Sequence, residues 1–238
     1  MTSDWSSTQD IKIIAHRGYS GKYPENTMIA FQEALKANAD AIELDVYNIQ
    51  NVLFVFHDDT LSRLTNSTGY FSDLTVEEVD NLKIANLHKI PRLSEVLDLM
   101  LIDTKFNLNI ELKGRNTAVA TADLLKGYIN KGIDPNRFLI SSFIHSELID
   151  FKNHLPQIKI AALQVSLPIS GPQFAADLNC FSVHVSAECV DSKFVDSAHN
   201  LGLKVYAFTV NEQIVFERML AIKIDGIFTD YPDRFISK

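Results

Sequence analysis

The 238-residue chain is long enough to bury one full core, and its 46% hydrophobic content supplies the material for it. Thirty acidic residues against 22 basic ones give a formal net charge of −8, a field that disfavours nonspecific binding to nucleic acid or anionic membrane, so any anionic substrate must be met by local cations. No stretch approaches the ~18 consecutive apolar residues of a bilayer span, the first ten residues lack the basic and apolar parts of a secretory leader, and Cys180 and Cys189 make neither a close metal-type pair nor a disulfide framework. These features predict a cytoplasmic protein with a polar N-terminal tail over residues 1–10.

Residues 11–15 form a short apolar run of strand type that ends in His16-Arg17-Gly18. After a loop with Gly21 and Pro24, residues 26–37 place Ile29, Ala30, Ala34 and Leu35 near one helical face, with Asn26 or Thr27 available as the cap. Residues 41–46 and 52–56 read as the next two strands, the second an extra hairpin strand ending at His57-Asp58.

From 58 to 91 the pattern weakens into turn signals around one short amphipathic piece at 76–82, a stretch too long for an ordinary strand-helix loop and so either a functional loop or a small subdomain. Regular structure resumes at Pro91, with Ser94 expected to cap a helix through Met100. Thereafter strands at 106–112, 137–142, 158–163, 181–185, 204–210 and 226–229 alternate with helices at 117–130, 146–153, 172–178, 192–200 and 211–221. About eight strands flanked by helices predict one α/β domain over residues 1–238, a closed (β/α)8 TIM barrel.

In such a barrel the chemistry gathers at the carboxyl ends of the strands. Strand side chains alternate faces, so Glu43 and Asp45 share one face while Ile42, Leu44 and Val46 take the other. Two carboxylates so close repel each other unless a cation lies between them. An isolated pair of this kind would more simply decorate a solvated strand face. On the third barrel strand, however, Asn109, Glu111 and Lys113 again share a face, and Glu111 completes a three-carboxylate set of the kind that hard divalent ions prefer. Arg17 and Lys113 offset the remaining charge, and each is able to hold a phosphate oxygen. His16 and His57 supply two proton-transfer groups on the same rim. His184 fits a pocket lining and a satisfied core histidine equally well, whereas His88, His145, His154 and His199 read as structural.

Seven short motifs then stand in order along the chain: Ala15-His16-Arg17-Gly18, Pro24-Glu25-Asn26-Thr27, Glu43-Leu44-Asp45-Val46, His57-Asp58, Ile90-Pro91-Arg92-Leu93, Ile110-Glu111-Leu112-Lys113 and Thr209-Val210-Asn211. Together they resemble the glycerophosphodiester phosphodiesterase family over residues 13–232, and the resemblance implies a TIM barrel with a small insertion after the second barrel strand, here residues 58–91. The resemblance implies hydrolysis of a small-molecule glycerophosphodiester to glycerol 3-phosphate and an alcohol, with a divalent cation (Mg2+, Ca2+ or Mn2+). It also implies His16 and His57 as the acid-base pair, Glu43, Asp45 and Glu111 as metal ligands, Arg17 and Lys113 as a phosphate clamp, and Glu25 and Asn26 as their support. Phe208 stands where the family commonly has tryptophan, which keeps an aromatic wall against the substrate but removes an indole donor. Two rival readings share the barrel. One is a lysophospholipase D-like enzyme with an apolar ledge from Phe54, Phe56, Tyr70, Phe71 or Leu74; the other is an inactive barrel that only binds a phosphodiester.

Overall fold

The computed structural model describes residues 5, 11–103 and 105–236. Among these residues eight parallel strands close on themselves: β1 (Lys12–Ala15), β2 (Ala41–Ile49), β6 (Asn107–Leu112), β7 (Phe138–Ser142), β8 (Lys159–Gln164), β9 (Ser182–Ser186), β10 (Lys204–Phe208) and β11 (Gly226–Thr229). The ring is sealed where Ile14 pairs with Ala41 on one side of β1 and with Phe228 on the other. β3 (Val52–Val55) runs antiparallel on the outer edge of β2, with Val46 opposite Val55, as the extra hairpin strand requires.

The alternation of each strand divides its residues between two cores. Ile42, Leu44, Leu108, Ile110, Val183 and Val205 point outward into the layer under the helices. That layer is closed by α1 (Met28–Lys36), α3 (Leu93–Ile102), α4 (Ala118–Asn130), α5 (His145–His154), α6 (Gln173–Asp177), α7 (Ser192–Asn200) and α8 (Gln213–Ala221). Ile14, Ala41, Leu139, Ala161, Tyr206 and Phe228 point inward and fill the barrel itself. No helix among the described residues is long and apolar enough to cross a membrane.

The insertion leaves the rim after β3 and carries α2 (Val76–Asn81) and a two-stranded ribbon, β4 (Lys83–Ile84) with β5 (His88–Lys89). It has an apolar cluster of its own, in which Phe56 stacks on Phe71 at 4.4 Å and Phe54 lies fully buried nearby. Three of the five residues considered for an acyl ledge are therefore withdrawn from it, while Tyr70 stays exposed. Phe54, Phe56 and Phe71 are interior, because leaving each ring in water would forgo ~1.5–3 kcal/mol of burial.

Two further expectations need correction. The helix after Pro91 begins at Leu93 with Arg92 as its cap residue, where the Glu95 carboxylate accepts the Arg92 backbone N–H at 2.9 Å, so Ser94 is inside the helix and not its cap. Within the expected polar tail, Trp5 is 1% exposed. Its Nε1–H donates to the Arg137 carbonyl at 3.2 Å and its ring lies 6.0 Å from Tyr206, so it packs into the amino-terminal end of the barrel. The other nine tail residues lie outside the described residues.

Candidate active site

The site gathers where β1, β2 and β6 end. The inward positions of β2 and β6 are in register, Glu43 beside Asn109 and Asp45 beside Glu111, so neighbouring strands deliver their carboxylates at one height. Each of Glu43, Asp45 and Glu111 offers a carboxylate oxygen within 4.8 Å of the others, and all three side chains are buried. Such packing of acids disfavours their charged forms. Burial first, then Asp45 and Glu111, push Glu43 well above the usual carboxylate range, and burial with Asp45 pushes Glu111 up to about 7. A divalent cation bound to these oxygens would relieve that repulsion, and oxygen-only donors suit a hard ion.

The first loop closes one side of the cluster. Arg17 has φ 55, which turns its backbone N–H onto Glu43 Oε2 at 2.8 Å. Its guanidinium reaches Glu25 Oε1 at 2.8 Å and lies 3.5 Å from Asp45 Oδ2. Asn26 Nδ2 donates to Asp45 Oδ2 at 2.9 Å. The turn depends on Gly18, at φ +77, where a Cβ would meet the Ala30 backbone at 2.7 Å. On the other side Lys113 Nζ stands 3.2 Å from Glu111 Oε1. Burial disfavours the charges of Arg17 and Lys113, but the acids around them outweigh it and hold both pKa values above their ordinary ones.

Both histidines are buttressed by an aspartate. His16 Nδ1 lies 2.7 Å from Asp230 Oδ1, and Asp230 also accepts Ser20 Oγ–H at 2.9 Å and Asn211 Nδ2–H at 2.7 Å. His57 Nδ1 lies 2.7 Å from Asp58 Oδ1, and Asp58 is forked by Arg63 at 2.6 and 2.8 Å. Against the opposing effect of burial, these partners hold Asp230 and Asp58 down at about 2. Burial is the main cause that lowers His57 below its ordinary value, with Arg17 and Lys113 adding to it. With Nδ1 engaged in each ring, Nε2 is the nitrogen left for chemistry in the pocket that both residues line.

That pocket encloses about 180 Å³. Opposite the charged wall stand Phe143, Leu163, Phe208 and Phe228, with Phe143 edge-on to Phe208 at 5.9 Å. Two buried polar atoms of residues that line it meet no partner among the described residues, His184 Nδ1 and Asn109 Oδ1. His184 is thus both pocket lining and core: it is wholly buried, and burial lowers its pKa to about 3, so the ring is neutral.

Every site residue expected from the sequence reaches this one pocket or the carboxylate cluster beside it. Asp230, Ser20, Asn211 and Arg63 were not assigned supporting roles, although Asn211 sits in a recognised motif. Asp230 carried a readable signal, an acid just past the end of a barrel strand.

A family model described as the glycerophosphoryl diester phosphodiesterase family matches residues 16–234. The chain belongs to this family. A glycerophosphodiester phosphodiesterase from Bacillus altitudinis is 36% identical over 236 residues, covering 94% of this chain and 96% of the relative. Another, from Caldanaerobacter subterraneus, is 34% identical with the same coverage. Among solved structures, a phosphodiesterase from Oleispira antarctica in complex with the product sn-glycerol-3-phosphate superposes with a TM-score of 0.84 at 27% identity, covering 94% of each chain. Within the glycerophosphoryl diester phosphodiesterase family model, the matched span takes in both histidine dyads and all three clustered acids.

Proposed function

We propose that this chain hydrolyses glycerophosphodiesters to sn-glycerol 3-phosphate and an alcohol, using a divalent cation held by Glu43, Asp45 and Glu111. The observation that carries this reading is the convergence of three buried carboxylates and two aspartate-held histidines on one pocket. Charge supports it. A divalent ion cancels two of the three carboxylate charges, and Arg17 and Lys113 stand beside the cluster to meet a phosphodiester monoanion. When bound, the ion supplies Lewis-acid polarisation of a phosphoryl oxygen.

The chain's own residues supply the rest. Arg17 and Lys113 hold nonbridging oxygens, Arg17 with its planar fork and Lys113 as a point charge. One of the two Nε2 atoms, on His16 or His57, accepts a proton from the attacking hydroxyl, which belongs to water or to the glycerol. The other donates to the departing alkoxide, a poor leaving group without an acid. Attack by the glycerol hydroxyl would gain from proximity and pass through a cyclic phosphate. The unpartnered atoms of Asn109 and His184 suit glycerol hydroxyls in the pocket, and Phe208 and Phe143 flank the carbon chain. Of the candidate ions, Mg2+ and Ca2+ suit an all-carboxylate set best, with Mn2+ the third. The two free cysteines suit a reducing compartment, in keeping with a cytoplasmic location, which cell fractionation tests.

The deciding experiment measures glycerol 3-phosphate release from glycerophosphocholine with chelator and with each metal added back, in wild type and Glu43→Ala. Turnover should vanish with chelator, return with metal, and stay absent in the variant. Full activity in excess chelator would refute the reading. One observation favours a second substrate class: Val165 and Ile169 are exposed at 66% and 109% in the loop after β8, the strand whose Leu163 lines the pocket together with the half-exposed Phe143. Lysophosphatidylcholine turned over faster than glycerophosphocholine would establish that class.

A further inference from the structure

Arg63 lies in the insertion, outside every motif that points to the chemistry, and is 49% exposed. An exposed arginine ordinarily makes ion pairs worth little. This one is placed differently. Its Nε and Nη2 fork the Asp58 carboxylate at 2.6 and 2.8 Å, while Nη1 and the same Nη2 fork the Glu25 carboxylate at 2.7 and 2.8 Å. Both acids are largely buried, and each has a second partner in the site. Asp58 holds His57 Nδ1 at 2.7 Å, and Glu25 holds Arg17 Nη1 at 2.8 Å. One planar cation therefore joins a histidine that lines the pocket to the arginine beside the carboxylate cluster. The charges alternate in sign along the path from Asp58 through Arg63, Glu25 and Arg17 to Asp45. In the other dyad, among the described residues, Asp230 is held by the neutral donors Ser20 and Asn211 in place of such a cation.

We infer that Arg63 is a positioning residue for the reaction, fixing the His57 ring through Asp58 and the Arg17 guanidinium through Glu25 at the same time. The inference rests on the phosphodiesterase reading above. It makes the insertion a working part of the site: if its first turn drifts, a proton carrier and a phosphate holder both lose register. Lysine cannot replace the arginine, because an ammonium does not fork two carboxylates in one plane.

Wild-type turnover of glycerophosphocholine is measured first, so that failure of the functional reading is seen separately. Against that rate, Arg63→Ala should lower kcat/KM by roughly 10- to 100-fold, the usual scale for groups that orient reacting residues, with kcat falling as well as KM rising. Arg63→Lys should recover only part of the loss, and added guanidinium should raise the rate of Arg63→Ala but not of wild type. In an Asp58→Asn background the same substitution should cost clearly less than in wild type, since the path to His57 is already cut. Side-chain nitrogen NMR should show one His57 tautomer in wild type and a mixture in Arg63→Ala. Wild-type kcat and KM in Arg63→Ala would overturn the inference. So would a loss explained by a lower folded fraction in circular dichroism, or one fully additive with Asp58→Asn.

Discussion

His57 is half-buried and held at Nδ1 by Asp58, and its pKa is lowered chiefly by burial, which favours the neutral ring. His57→Ala should cut kcat by roughly 10²- to 10⁴-fold while leaving the circular dichroism spectrum and thermal midpoint near wild type. Near wild-type turnover would remove it from the reaction. Glu111 gives a second prediction, in stability. Its folded pKa of about 7 lies above its unfolded value, so without metal the folded state holds a proton that the unfolded chain releases. The metal-stripped protein should lose stability as pH rises from about 4.5 to 7, by up to a few kcal/mol. Saturating metal should abolish that slope; chemical denaturation across the pH range reads both. These acids were legible from strand alternation, because Glu43, Asp45 and Glu111 stand at inward positions of strands whose outward positions are apolar. Arg63 was not, because its two partners lie 5 and 38 residues away and no periodicity links them.

Between elements, α4 starts against a carboxylate supplied by its neighbour. Glu147, in the first turn of α5 and 5% exposed, accepts the backbone N–H groups of Asn116, Thr117 and Ala118, each at 2.9 Å. Those are orphan donors of a helix amino terminus. The same turn carries Lys113, whose carbonyl accepts Thr117 Oγ1–H at 2.8 Å. Glu147→Ala should therefore cost about 2–4 kcal/mol in urea denaturation and raise KM more than it lowers kcat. Unchanged stability would show that water replaces the carboxylate. Element identities followed from apolar periodicity, with ends that coincide or are displaced by at most three residues. β4 and β5 were unreadable because two-residue strands have no period to detect, and the Ser94 cap was misplaced because the Glu95 side chain caps the helix at Arg92, two residues earlier.

At the scale of the whole molecule, the closed ring separates two ends. The carboxyl ends of the strands carry His16, Lys113, Phe208 and Asp230, and the amino ends are stopped by Trp5 against Tyr206 and the Arg137 carbonyl. Strand count and order were legible because each βα unit repeats the same apolar pattern; the plug was not, since one aromatic among polar neighbours has no pattern to belong to. Trp5 is also the chain's single tryptophan. Its intrinsic emission is thus a reporter of the floor alone: the spectrum should be blue-shifted in the native protein and blind to saturating sn-glycerol 3-phosphate at the opposite mouth. It should move to the red only when denaturant frees the indole, which makes fluorescence a clean gauge of undocking and a poor one of ligand occupancy.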